Sequence, residues 1–239
     1  MLTQQNREDF LKNVSRALGR ETIPTHVDAP DLSDGPQVSM YQDLSQEEVL
    51  AMFKNECDAL SIRYREATPD NLADVVMESI ADWGGGKMIY PQAPEMEEFG
   101  IQAKFDEADG KDGQSFIQWD PTKSREENID NAQDANLGLT FPSMAIAETG
   151  TLVQPMSSGS GRSVGLLPIT HIAVVRRSSI VPRMTQSMAK LAEQFRQDPA
   201  NFPSSVIHIS GPSSTVDIEL VRVVGVHGPI NLTYIILND

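Results

Sequence analysis

AETGTLVQPMSSGSGRSVGLLPITHIAVV, residues 147–175, is the stretch whose reading decides the fold. It sets a small turn at Glu148-Thr149-Gly150, an apolar strand over 150–153, a Ser/Gly run with one arginine, Arg162, and a histidine, His171, that opens a second strand to Val175. Alternating and continuous apolar runs of this length read as buried strands. The run 157–163 is too polar to bury without partners, so it reads as a mobile, donor-rich loop between them.

Working outward, further strands are predicted at 87–90, 115–119, 144–147, 206–209 and 232–237. Between them lie helical patterns. Ser45-Gln46-Glu47-Glu48 matches a capping box, in which the Ser45 hydroxyl accepts a backbone N–H and Glu48 reaches back, so a helix is predicted from there to about Glu66. A second helix over 70–83 stops at Gly84-Gly85-Gly86, a polar helix-compatible segment covers 124–135, and 184–197 places Met188, Leu191 and Phe195 on one face. Strands alternating with helices predict an α/β domain with a substantial parallel component, over residues 45–239. Residues 1–44 read as an N-terminal helical arm: Phe10, Leu11, Val14 and Leu18 form one apolar stripe, and 21–44 carries three prolines, five acidic residues and no period.

The chain has 239 residues and a formal charge of −15, from 34 acidic against 19 basic side chains. That balance repels phosphate backbones and anionic lipid, so nucleic acid is not expected as a partner. Cys57 is the single cysteine, which excludes an internal disulfide and any iron–sulfur or cysteine-rich zinc site made by this chain alone. With four histidines, none at i, i+4 from another ligand, no metal site is expected. The start lacks an apolar signal core and no window approaches the length of a membrane span, so a cytoplasmic location is expected.

Several residues suit chemistry, each with a plainer alternative. Glu148 beside Thr149-Gly150-Thr151 can act as a base or nucleophile where small residues let a ligand approach the backbone, or it can be a solvated carboxylate beside a capped turn. Arg162 on the Ser/Gly loop can clamp a carboxylate or phosphate through its fork of donors, or be incidental to the loop. His171 suits proton transfer, or is a satisfied strand residue. Ser210-Gly211-Pro212-Ser213 follows a strand and can cradle an anion, while Asp217 and Glu219 nearby suit a cation or an orienting role. His227, between Gly225 and Gly228, either faces a pocket or shapes a turn. No G-x-S-x-G elbow, Walker loop or G-x-G-x-x-G fingerprint is present.

Taken together, AIAETGTLV (145–153), GLLPITHIAVV (165–175), SGPSSTVDIE (210–219) and GVHGPINLTYIIL (225–237) resemble the lactate utilization (LUD) family, in its order of motifs. The resemblance implies a Rossmann-like, mostly parallel sheet flanked by helices, of the isomerase and coenzyme A transferase type. It also implies a part in oxidising L-lactate to pyruvate alongside partner proteins that hold iron–sulfur clusters, with no cofactor in this chain and a small anionic ligand at the strand ends. Carried over to this sequence, the pocket would draw on Glu148, Thr149, Gly150, Thr151, Arg162, His171, Ser210, Gly211, Ser213, Asp217, Glu219 and His227, with Glu148 and His171 the catalytic candidates. Family members often have a basic residue where this chain has Ser214, which leaves any anion contact from that position missing or supplied by Arg162. Three functions stay open: a cluster-free subunit of a lactate-oxidising complex, a stand-alone transferase or isomerase using Glu148, and a purely structural assembly subunit.

Overall fold

The computed structural model describes residues 3–31, 33, 35–216 and 220–239, so Asp217 and Glu219 lie outside the described residues. Two compact units divide the chain, Met1–Met40 and Tyr41–Asp239. In the first, α1 (Gln4–Ala17) starts at Thr3, whose hydroxyl accepts from the Asn6 N–H at 3.3 Å, and α2 (Pro36–Ser39) is a single turn. Phe10, Val14 and Leu18 of the α1 stripe are exposed, Phe10 at 65%, and Leu11 is half-buried.

The second unit runs α3 (Gln46–Ala59), β1 (Arg63–Ala67), α4 (Leu72–Asp82), β2 (Lys87–Tyr90), α5 (Pro94–Glu98), α6 (Ile101–Ala108), β3 (Ser115–Gln118), α7 (Arg125–Gln133) and β4 (Leu137–Thr140). Then come β5 (Met144–Ile146), a 3-10 turn at Ala147–Thr149, β6 (Thr151–Pro155), α8 (Ser163–Leu166), β7 (Thr170–Arg176), β8 (Ile180–Val181) and α9 (Met184–Gln197). It closes with β9 (Val206–Ser210), β10 (Ser214–Val216), β11 (Arg222–Val224) and β12 (Asn231–Leu237). Six strands form an all-parallel sheet in the order β1-β12-β7-β4-β2-β3. The expected α/β fold with a parallel sheet is therefore present.

Period-2 alternation sorts the sheet's side chains to two faces. Leu137, Leu139, Ile172, Val174, Ile235 and Leu237 meet α4, α5 and α6 on one. On the other, Ala173, Val175, Tyr234 and Ile236 meet α3, where Phe53 stacks on Tyr234 at 5.8 Å, and Ile89 meets α7 and α8. The predicted capping box opens α3: the Ser45 N–H donates to Glu48 Oε2 at 2.8 Å and the Glu48 N–H to the Ser45 hydroxyl at 3.3 Å.

Besides the short elements α5, α6, α8, β8, β10 and β11, which the sequence reading does not contain, the structure departs from it at three places that shape the site. Helix α3 ends at Ala59 rather than near Glu66, because Ser61 turns the chain at φ 60° and Arg63–Ala67 becomes the sheet's edge strand, paired with β12. Leu137–Thr140 is a strand that short length and a central glycine concealed. The strands flanking the Ser/Gly run do not share a sheet: β6 belongs to a second, four-stranded sheet, β8-β5-β6-β9, and β7 to the parallel one. The run itself is pinned, with a Ser157–Ser160 bridge and Gly159 accepting from the Gln92 N–H at 2.8 Å, and it leads into α8.

Close approach of α8 to the sheet depends on Gly138, where a Cβ would lie 2.0 Å from the Val164 carbonyl oxygen. Gly138→Ala is expected to lower stability by about 1–3 kcal/mol in a urea titration, as overpacking forces α8 off the sheet. Beside it His171 is fully buried, its Nε2 2.7 Å from the Thr140 hydroxyl and its Nδ1 unpartnered. Burial pushes its pKa down to about 4 from an ordinary 6.5, so the folded chain holds it neutral. Between those values only the unfolded chain takes up the proton. The stability is whole above pH 6.5 and is lost as pH falls toward 4. Unfolding midpoints at pH 7 and pH 5 should therefore report about 2 kcal/mol more loss for the wild type than for His171→Gln.

Candidate functional site

Strand connectivity locates a crevice before any side chain is considered. From β2 the chain moves outward to β3, whereas from β4 it moves the opposite way, to β7 and then β12. Neighbouring strands whose connections diverge leave a gap outside their carboxyl ends, where ligands of open α/β sheets bind. A cleft of about 300 Å³ lies there. Pro91, Gln92 and Glu95 after β2 and Phe141, Pro142 and Ser143 after β4 form two walls, with Arg176 at the end of β7. Gln154 and Pro155 of β6, with Ser157 and Ser160, complete the lining.

The second sheet carries Gln154 into this position: Leu152, two residues earlier, anchors the same strand face in the core against α3. Gln154 is 6% exposed. Its Nε2 donates to the Pro155 carbonyl at 3.1 Å, which fixes the amide's orientation, because only the nitrogen can donate. Its Oε1 is buried with no partner. An acceptor left so costs about 1–3 kcal/mol until a donor meets it. Arg176 supplies the cleft's cation; its guanidinium reaches Glu98 at 3.3 Å and Asp239 at 3.9 Å and sits over the Phe99 ring. Glu95 shares the lining, so an anionic group must sit on the Arg176 side. A cleft lined both by a residue with a free buried acceptor and by a guanidinium suits a small ligand that is both hydroxyl donor and anion.

The residues nominated from sequence fall in four places. Thr149, Thr151 and Ser210 come together: the Thr149 and Thr151 hydroxyls are 2.7 Å apart, and Thr151 also bonds Ser210 across the β6–β9 pair. Gly150, at φ 56°, and Gly211, at φ 71°, both pack on Leu60 of the α3 terminus, and the Gly150 carbonyl accepts from the Tyr234 hydroxyl at 3.2 Å. Glu148 adjoins this seam, its carboxylate held by Arg183 Nε at 2.6 Å. His171 is inside the core. Ser213 and His227 lie in the turns preceding β12, where the Ser213 N–H donates to the Pro229 carbonyl and His227 is exposed. Arg162 lines a separate groove with Trp119 and Arg125.

Sequence reading passed over Gln154, Arg176, Gln92 and Ser143. The available signal was the pair of proline-bearing polar turns directly after apolar strands, PQAP at 91–94 and FPS at 141–143. Among the described residues no group of three or more His, Cys, Asp or Glu side chains is placed to hold a metal ion, and no helix is long and apolar enough to cross a membrane.

Residues 44–237 match the family described as the LUD domain. The chain is 39% identical over 240 residues to the lactate utilization protein C of Bacillus subtilis (strain 168), covering 99% of this chain and 98% of that protein. It is 37% identical to the protein of the same name from Geobacillus thermodenitrificans (strain NG80-2) and 39% identical to that of Macrococcus caseolyticus (strain JCSC5402), each over 99% of this chain and 98% of the relative. A crystal structure of a duf162 family protein from Deinococcus radiodurans superposes with a TM-score of 0.59 at 22% identity, over 82% of this chain and 99% of that one, which shows a shared fold. On the match across most of its length and these full-length relatives, the chain belongs to the LUD domain family.

Proposed function

We propose that this chain is a cluster-free subunit of an L-lactate oxidation system, working with iron–sulfur partner proteins, and that the cleft beyond β2 and β4 receives a small hydroxy-carboxylate. Similarity over the full length to proteins named lactate utilization protein C supports the role. The observation that carries the ligand assignment is the buried, unpartnered Oε1 of Gln154, a residue lining a cleft that also presents Arg176. A 2-hydroxy acid such as lactate answers both: its hydroxyl donates to Oε1 and its carboxylate faces the guanidinium.

Oxidising lactate to pyruvate releases two electrons and two protons. In this chain the one thiol, Cys57, is buried and pushed up to about 12, chiefly by burial, which keeps it protonated and inert. In this reading the electrons pass to clusters held by the partners. The exposed apolar stripe of α1 offers one contact for them, its ordering against a partner burying Phe10. A reading in which Glu148 acts as a base draws no support from its surroundings, where Arg183 engages the carboxylate.

Calorimetry of the chain, alone and with its partners, should detect L-lactate or pyruvate. Arg176→Met is expected to weaken that binding by about 10–100-fold, the equivalent of one charge-assisted bond. Gln154→Met should weaken it while leaving thermal stability unchanged or raised, since the substitution removes an unpaired buried acceptor. Absence of binding to the wild type in both settings overturns the ligand assignment. For the arm, deleting residues 1–40 should reduce co-purification with the partners; unchanged recovery removes α1 from the interface.

A further inference from the structure

Five of the nine arginines described in the body of this acidic chain are held by carboxylates: Arg65 by Glu78 and Asp82, Arg176 by Glu98, Arg177 by Glu47, Arg183 by Glu148 and Arg196 by Glu193. Arg63 lies over the Trp83 ring, whereas Arg125 and Arg162 share one site. Both are exposed, both line one groove of about 290 Å³ between α7 and α8, and neither has a carboxylate within ion-pair distance among the described residues. Two like charges on one rim raise each other's energy, and no carboxylate lines the groove with them.

The groove's floor is apolar, made by Trp119, Ile129, Leu166 and Leu167. Trp119 is held in place: its indole N–H donates to the Ser158 carbonyl at 3.0 Å and its backbone N–H to the Tyr90 carbonyl at 2.8 Å. Gly161 lies flush on the ring, where a Cβ would come within 2.3 Å of it, so the residue before Arg162 is fixed by the tryptophan. The apolar surface does not end with the groove. Leu167 is 42% exposed, Ile169 51% and Ile230 48%, and the Ile230 N–H donates to the Ile169 carbonyl at 2.8 Å, so the strip continues past the amino ends of β7 and β12. Contiguous apolar surface with a tryptophan and two arginines at its head has the composition of an interface centre.

We propose that this groove and strip form the docking surface for a partner protein bearing an acidic patch, which sets carboxylates against Arg125 and Arg162 and apolar side chains against Trp119 and the Leu167–Ile169–Ile230 strip. Charge selects the occupant. A second copy of this chain, at net −15, and nucleic acid are both repelled at long range, whereas a partner that bears an acidic patch on a body not itself strongly acidic meets the two arginines of a lining without carboxylates and escapes that cost. A small anion would leave the strip uncovered. The identity of the occupant as one of the iron–sulfur proteins rests on the function proposed above; the surface itself does not.

The test uses the full chain and its system's two cluster-bearing proteins, with dissociation constants measured at low and high salt. Arg125→Glu combined with Arg162→Glu should weaken binding to one of them at least 30-fold, roughly the loss of two rim charge pairs, and the wild-type affinity should fall with salt. Lys111→Glu combined with Lys190→Glu, an equal change of charge at exposed positions outside the groove, should stay within about 2-fold. Arg125→Gln with Arg162→Gln, a gentler pair, should lose about 10-fold if the reversals disturb folding. Wild-type binding that none of these arginine variants changes overturns the surface and leaves the partner role standing. Wild-type binding to neither protein overturns the partner role, and this occupant with it. Self-association of the wild type that the arginine variants abolish makes the occupant a second copy and overturns the proposal.

Discussion

Parallel pairing governs this molecule. Six strands running the same way cannot be joined by hairpins, so every connection must cross a face of the sheet, and both faces must be covered. Helices α4 to α6 cover one face, and α3, α7 and α8 cover the other. Because the crossings leave β2 and β4 in opposite directions, a crevice at their carboxyl ends follows from topology alone. Packing then decides its depth. Gly138 lets α8 lie directly on the sheet, and His171 fills the space beneath as a neutral, buried ring rather than as a reactive group.

The second sheet gives the crevice its chemistry. Its strand β6 buries Leu152 in the core and two residues later delivers Gln154 to the cleft, so one strand face carries both anchor and functional atom. The hydroxyl cluster of Thr149, Thr151 and Ser210 closes the opposite end of the same strand, satisfied within itself. That contrast separates a structural polar group from one awaiting a ligand. The hydroxyls with partners hold the small sheet in place, while Gln154, whose Oε1 has none, lines the cleft.

Legibility from sequence followed the range of the interactions. The α3 cap, the glycine stop after α4 and the strands β2, β7 and β12 were readable because residues within one turn or one strand determine them. Helix α9 has the predicted bounds, yet its apolar face is only part-covered: Leu191 is buried whereas Met188 and Phe195 are exposed. The edge strand β1 was hidden because its pairing with β12 spans most of the chain, and its alternation is weak at a sheet edge. The site was less legible still. Thr149, Thr151 and Ser210 were chosen for hydroxyls and glycines, and they do converge, but on one another. Gln154 and Arg176 carry no local signature. What marks them is an absent partner for one and a position at a strand end for the other, both properties of tertiary structure.

The Ser/Gly run joins the two proposed sites. Ser157 and Ser160 line the cleft, and two residues beyond Ser160 the Arg162 side chain lines the groove. Between them Gly159 is fixed against Gln92, where a Cβ would come within 2.7 Å of the carbonyl oxygen, and Gly161 against Trp119. Glycines here serve close approach rather than slack, which reverses the meaning a Ser/Gly tract carries in a linker. A short segment pinned at both glycines cannot shift at its serines without disturbing its arginine. Whatever fills the cleft and whatever covers the groove therefore act on the same few residues, and any effect of the one on the affinity of the other must be reciprocal.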